Sequence, residues 1–263
     1  MLLDDGDIHG PHVPAAASER PWDFTELADT YDFRPHYDAS IVHDTLDRLQ
    51  LAHGDRAIDV GAGTGKLTSL LCGHGLDVIA VEPNARMRAR GMANPAAQGA
   101  RWIASRGETL PIVASSAAIV TFGSSFNVVQ PRDALDECAR VLRHGGAWFA
   151  TYNHRDLHDP LQREIEAIIQ RQIPAYDYGR RRRSPEPDVM AHGAFAAFAS
   201  DSRRFIARVR ADEWMLAWSS HATLQRQAGA HLPAVLMDIA RAIGEAEVLE
   251  VPYTTHVWTA TRR

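Results

Sequence analysis

The sequence is poor in lysine, in cysteine and in positive charge. Of its 28 basic residues only Lys66 is lysine, the other 27 being arginine, and 33 acidic residues leave a formal net charge of -5. Arginine codons are GC-rich, so the skew speaks to the coding genome rather than to mechanism. The acidic balance does bear on partners: a generic nucleic-acid binder presents a basic footprint, so a polyanionic partner is disfavoured. Cys72 and Cys138 lie far apart inside apolar runs, without the C-x-x-C spacing of a zinc or redox site. Both read as buried thiols, and no metal site is expected. No apolar run reaches the roughly 18 residues of a membrane span. Acids stand near the N-terminus where a secretory signal needs basic residues, so a reducing cytoplasm is the expected setting.

What is present suffices for one sizeable domain, or a domain with a lid: 263 residues, 45% of them hydrophobic. Residues 1–20, rich in Asp, Gly, Pro and Ala, read as a mobile tail. Over 21–51, Phe24, Leu27, Ala28 and Tyr31, then Ile41, Val42, Leu46 and Leu49, recur at helical spacing and predict two helices, broken at Arg34-Pro35 because proline disfavours helix just before it. Strands then alternate with helices: RAIDV (56–60), a helix over 66–73, DVIAV (77–81), a helix through Met87, WIAS (102–105), AAIVTFG (117–123), a helix over 135–142 and AWFATYN (147–153). This alternation predicts an α/β fold with a parallel sheet covered by helices on both faces.

Beyond Asn153 the alternation stops. The pattern predicts an amphipathic helix over 160–172, a loop from Arg180 to Asp188, a strand or two over 204–216 and a helix over 232–244. Residues 246–253 and 255–263 read as two strands meeting in a tight connection. On this division 52–153 with 246–263 form the core, and 154–245 is an inserted lid between strands 5 and 6, longer than a simple crossover needs.

The strongest local signal is AIDVGAGTGK (57–66), a strand ending in glycines 61, 63 and 65 before a helix. Glycine there lets the backbone turn sharply and lets a ligand touch the main chain, at the carboxyl end of a strand where open sheets bind ligands. The dinucleotide fingerprint G-x-G-x-x-G needs glycine where Lys66 stands, and a P-loop needs glycine at Val60 and Ser or Thr at Leu67. Both phosphate-cradling readings fail.

The loop closely resembles motif I, (D/E)-x-G-x-G-x-G, of the class I S-adenosylmethionine-dependent methyltransferases. The resemblance implies a Rossmann-like sheet, parallel with an antiparallel C-terminal strand, and S-adenosylmethionine as cofactor, leaving S-adenosylhomocysteine as product. It implies that Asp59 helps bind the cationic methionyl end and that Gly61, Gly63 and Gly65 pack against the cofactor's backbone. At the end of the next strand Glu82, in V-E-P-N, suits a ribose diol, since a carboxylate accepts from two hydroxyls at once. Met87 falls where the family often places an apolar residue beside adenine.

Gly107-Glu108-Thr109-Leu110-Pro111 resembles the A-E-x-L-P segment of the methyltransferase type 11 branch, with Gly107 for the alanine and Arg106 where relatives often carry an acid. Ala118 replaces the family's acid before strand four. Ser124, Ser125, Phe126 and Asn127 leave that strand where relatives contact cofactor or acceptor. LRHGG (142–146) matches the L-K-P-G-G turn, His144 replacing proline as a surface turn residue. Ala28, Tyr31, Asp32, Arg34-Pro35 and Tyr37 resemble the A-x-x-Y-D-x-x-R-P-x-Y segment that closes over the cofactor, one residue short before the arginine; Tyr31 and Arg34 are thereby implied in cofactor binding.

Displacement on a sulfonium requires alignment and exclusion of water more than covalent help. Where an acceptor carries a removable proton a base is useful; His154, after the fifth strand, is the first candidate, then His36 and Glu164 or Glu166. Phe126, Asn127, Tyr37, Tyr176, Tyr178 and Trp214, with Trp218 and His221, are candidates for an aromatic acceptor pocket, against the alternative of lid core. His256 reads as structural, and Arg180–Arg183 either as a solvated run or as an attractor for an acceptor's carboxylate or phosphate. The N/D-P-P-Y/F motif of base-modifying amino-methyltransferases is missing. A small organic acceptor, as in bacterial secondary metabolism, is therefore expected rather than nucleic acid or membrane. The oligomeric state stays open, a homodimer included. Two alternatives remain, a non-catalytic or regulatory cofactor-binding protein and a nicotinamide oxidoreductase.

Overall fold

A computed structural model describes residues 22–263; the expected tail at 1–20 lies outside the described residues. One seven-stranded sheet has the order β3-β2-β1-β4-β5-β7-β6. Strands β1 (Arg56–Val60), β2 (Asp77–Val81), β3 (Arg101–Ile103), β4 (Ala117–Gly123) and β5 (Leu142–Arg155) run parallel, and β6 (Phe195–Arg210) and β7 (Val248–Arg262) complete the sheet antiparallel. The order reverses between β1 and β4, so the loops leaving those two strands diverge and open a crevice at their carboxyl ends.

Both faces are covered, as the continuous apolar strands require. On one face Ile41, Val42 and Leu46 of α1 (Ala39–Arg48) and Leu67 and Leu71 of α2 (Lys66–Gly73) pack on Val78, Ile119 and Phe149. On the other, Leu135 and Cys138 of α4 (Pro131–Val141) pack on Val120, Phe122 and Trp148. Ile119 and Val120, and Trp148 and Phe149, point to opposite faces by the two-residue period of a strand. A third apolar cluster joins α5 (Pro160–Gln172), α7 (Ala211–Ser219), α8 (Ala222–Ala228) and α9 (Leu232–Ile243) to Leu249, Val251 and Tyr253 of β7.

The sequence pattern and the structure part company in four places. The first expected N-terminal helix is a run of turns ending in a 3-10 turn at Tyr31–Phe33, after which Arg34 is extended before Pro35. The expected Arg180–Asp188 loop contains a 3-10 turn at Gly179–Arg182 and the start of α6 (Glu186–Ala191). The stretch 204–216 is strand only to Arg210: Asp212 and Glu213 suit a helix N-terminus, and Trp214, Ala217 and Trp218 share one helical face in α7. The two expected C-terminal strands are one continuous β7, which runs through Pro252 because the ladder to β5 ends at Tyr253 and the proline carbonyl still accepts from the Asp156 N–H at 3.2 Å. Residues 154–245 therefore contribute an edge strand of the sheet, β6, besides the helices of the third cluster.

The β2–β3 edge depends on a close approach. A Cβ on Gly91, in α3 (Ala85–Ala93), would lie 2.1 Å from the Trp102 ring. Gly91→Ala is expected to lower the stability of the chain by about 2 kcal/mol, measured as a reduced urea midpoint with an unchanged slope.

Candidate functional site

The crevice above β1 and β4 holds two cavities that meet at Tyr31 and Ser124, which line both. The larger, about 620 Å³, is walled by Gly61 and Gly63, by Glu82 and Met87, and by Gly107, Glu108, Ser125 and Asn127. The smaller, about 90 Å³, lies under the 154–245 helices and is walled by aromatic and cationic side chains, among them Tyr37, Tyr178, Trp214, Trp218 and Tyr253.

The floor of the larger cavity is a turn that few residues other than glycine can make. Gly61, Gly63 and Gly65 all have positive φ, at 67, 58 and 86°. A Cβ on Gly61 would stand 2.6 Å from Cβ of Ser125, so the loops after β1 and β4 touch through the missing side chain. The Gly63 N–H donates to Glu82 Oε2 at 2.9 Å and the Asn84 N–H to Oε1 at 2.8 Å. Each carboxylate oxygen keeps a second lone pair, capacity for two hydroxyl donors, and Glu82 lines the cavity. Burial pushes the Glu82 carboxyl above the ordinary carboxylate range, the two backbone donors opposing that shift. Asn127 Oδ1, also in this wall, is buried without a hydrogen-bond partner among the described residues. An acceptor pair for a diol, bare glycine backbone and an orphaned amide oxygen fit an adenosine-bearing cofactor.

Asp59 is placed otherwise than the motif resemblance implies. It is fully buried and lines neither cavity; Thr68 Oγ1 donates to one carboxylate oxygen at 2.6 Å and Thr121 Oγ1 to the other at 2.9 Å. Its carboxylate thus ties α2 and β4 to β1, beneath the loop. Burial raises its pKa from 3.8 to about 6, against the two threonine donors. Gly65 likewise lines neither cavity and serves as the left-handed cap of α2.

Several expected residues do meet in the crevice. Tyr31, Gly61, Gly63, Glu82, Met87, Gly107, Glu108, Ser124 and Asn127 line the larger cavity. Tyr37, Tyr178 and Trp214 line the smaller, as does Arg34, which sits 4.3 Å over the Tyr31 ring and does not line the larger cavity. Ser124 occupies the junction with φ of 57°, an uncommon left-handed serine, and receives the Tyr37 hydroxyl at 3.0 Å.

Others do not. Phe126 turns inward, T-stacked with Phe122 and Trp148 at 5.1 Å, and is core rather than acceptor wall. Tyr176 backs Tyr178 from behind, ring centres 4.9 Å apart. Glu164 is on the exposed face of α5 and His36 is exposed between Pro35 and Tyr37, and neither lines a cavity. His154 does line the smaller cavity, but its Nε2 donates to the Arg181 carbonyl at 2.8 Å, and burial with nearby His256, Arg181 and Arg182 pulls its pKa down to about 3. A group so weakly basic is neutral at pH 7 and a poor proton acceptor; it tethers the arginine turn instead.

Two features of the smaller cavity escaped pattern reading. Lys66 reaches back across it, donating to the Asp32 carbonyl at 2.9 Å and to the Arg34 carbonyl, so the lysine after the glycines pins the covering segment. Burial lowers its pKa to about 8. Arg155, at the end of β5, pairs with Glu166 at 2.7 Å and lies 4.7 Å over Trp218. The only sequence signal for either was position, next to the glycines or at a strand's carboxyl end.

A family model described as a methyltransferase domain, Methyltransf_11, matches residues 58–150. An uncharacterised methyltransferase of Mycobacterium tuberculosis is 36% identical over 128 residues, 49% of this chain and 52% of that protein. A demethylmenaquinone methyltransferase of Paenarthrobacter aurescens is 29% identical over 178 residues, 61% of this chain and 67% of the relative. The chain spans about half the length of the first of these relatives. Among solved structures, a putative type II methyltransferase from Anaeromyxobacter dehalogenans aligns with TM-score 0.57 and 20% identity, covering 87% of this chain and 97% of that one.

The buried carboxylate under the loop makes stability depend on pH. Asp59 holds its proton more tightly folded than unfolded, so its contribution to stability grows as the pH falls from 7 through about 6 and levels off below 3.8. Between pH 7 and pH 5 Asp59→Asn should therefore remove about 1 kcal/mol of stability gain that the parent shows. Urea midpoints of both proteins at the two pH values check this.

Proposed function

We propose, from the methyltransferase-domain match over residues 58–150 and the geometry of the crevice, that the chain is a class I S-adenosylmethionine-dependent methyltransferase of the methyltransferase type 11 branch and that it transfers a methyl group by direct displacement to a small organic acceptor. The observation that carries the reading is the junction of the two cavities at Tyr31 and Ser124: one has glycine backbone and a diol-accepting carboxylate, the other aromatic walls. Bound S-adenosylmethionine supplies a methyl group made electrophilic by the sulfonium.

The chain's own residues do the rest. Glu82 and the backbone at Gly61 and Gly63 hold the nucleoside end, with Met87 as the apolar wall and Asn127 offering its free amide oxygen. Asp59 acts beneath them by fixing the loop through Thr68 and Thr121. The covering segment, clamped by Lys66, brings Tyr31 and Tyr37 over the junction and excludes water there. No residue is assigned as a general base: His154 and His221 are both held neutral by burial, and the buried Tyr37 is pushed well above the ordinary phenol range. Catalysis on this reading is alignment and desolvation, which suits an acceptor whose nucleophile needs little proton removal. The net charge of -5 and the missing N/D-P-P-Y/F motif support a small molecule over nucleic acid. Among the described residues no helix is long and apolar enough to cross a membrane.

Calorimetry with S-adenosylmethionine, S-adenosylhomocysteine and NADH tests the reading: the first two are expected to bind, and binding of NADH alone would overturn it. Glu82→Gln should weaken S-adenosylhomocysteine about ten-fold or more by removing charge-assisted acceptance. Unchanged affinity would sink the assignment of Glu82.

A further inference from the structure

The smaller cavity carries a charge that the chain as a whole does not. Among the described residues five cationic side chains line it, Arg34, Lys66, Arg155, Arg181 and Arg182, and no carboxylate does, in a chain whose net charge is -5. The neighbouring acids are committed elsewhere. Glu166 takes Arg155 at 2.7 Å and the Tyr178 hydroxyl at 2.5 Å. Asp32 offers Lys66 only its backbone carbonyl, its carboxylate being paired with Arg90 at 3.0 Å. Asp177 lies 3.8 Å from Arg183, outside the cavity.

The cations themselves are met mostly by neutral groups. Arg34 donates to the carbonyl and hydroxyl of Ser220, and Arg182 lies 4.4 Å over the Tyr178 ring. The Arg181 guanidinium, half-buried, makes no hydrogen bond or ion pair among the described residues, although its own backbone carbonyl is held by His154. Gathering like charges in a partly desolvated space is costly unless an opposite charge joins them. Burial and mutual repulsion already hold Arg34 and Arg182 below the ordinary guanidinium range. A guanidinium without a partner presents a planar fork of donors that matches a carboxylate or phosphate.

We propose that the methyl acceptor is an organic anion, with a carboxylate or phosphate received by Arg181 between Arg34 and Arg182 and a flat body lying against Trp214, Trp218 and Tyr253. The inference rests on the methyl-transfer reading in one respect, that this cavity holds the acceptor. The anionic group serves as an anchor: it sets which face of the acceptor meets the Ser124 junction and forms no bond in the reaction. The arginine turn is thus a specificity element, and neutral analogues of the acceptor are excluded because they leave its cations uncompensated.

The test titrates the full chain, saturated with S-adenosylhomocysteine, with benzoate, phenyl phosphate and the neutral benzamide, read by tryptophan fluorescence and calorimetry. One or both anions should bind at least about ten-fold more tightly than benzamide, and which of them binds separates a carboxylate acceptor from a phosphate one. Arg181→Gln should abolish that preference with S-adenosylhomocysteine affinity unchanged, and Arg181→Lys should keep part of it. Arg182→Gln, expected to weaken the anion in the same sense, serves if the Arg181 variant fails to fold. Equal binding of benzamide, no saturation by either anion, or an unaltered preference in the folded variants would overturn the proposal. Failure of the parent to bind S-adenosylhomocysteine would instead refute the methyl-transfer reading, and the anion preference would then be decided on the free chain.

Discussion

The hydrogen bond from the Gly63 amide to Glu82 links the loop after β1 to the end of β2, and the crevice takes its shape from it. A carboxylate so deeply buried is tolerated because backbone N–H groups meet both oxygens, and it still lines the larger cavity. Asp59 applies the same chemistry one layer deeper, with threonine hydroxyls in place of amides and nothing left facing the crevice. Two acids that sequence places in parallel roles therefore do different work. One is structural because its donors come from inside the fold; the other stays available because its donors come from the loop itself.

The alternation of apolar runs and helices made the parallel half of the sheet legible, since its central strands β1 and β4 are buried on both faces. RAIDV, DVIAV and AAIVTFG coincide with β1, β2 and β4 residue for residue. The antiparallel half was harder. A residue such as Trp214 satisfies a strand pattern and a helix pattern equally over a few positions, and only its packing with Trp218 against the third cluster decides. Pro252 reads as a break until the end of the β5 ladder is known.

For the site, spacing from the glycines picked out Glu82, Met87 and Gly107, which the fold brings to the wall of the larger cavity. Which way a side chain turns after a strand is not encoded so locally. Phe126 and Asn127 are adjacent, yet one enters the core against Trp148 and the other faces the cavity. Nor does sequence report desolvation: His154 stands at the expected position, and burial removes the basicity that position suggested. The arginine turn at 179–182 was legible as charge, while its convergence with Arg34, Lys66 and Arg155 needs the covering segment and β5 brought together in space.

Lys66 is the only side-chain amine in the sequence, and it stands where the glycine loop, the covering segment and the cationic cavity converge. Amine-directed chemistry consequently has a single side-chain address in the whole chain. A carbon-13 methyl tag placed there by reductive alkylation gives one resonance, at the clasp that holds Asp32 and Arg34. The scarcity of lysine thus turns a residue that fastens the covering segment into a built-in spectroscopic reporter of whether that segment is seated.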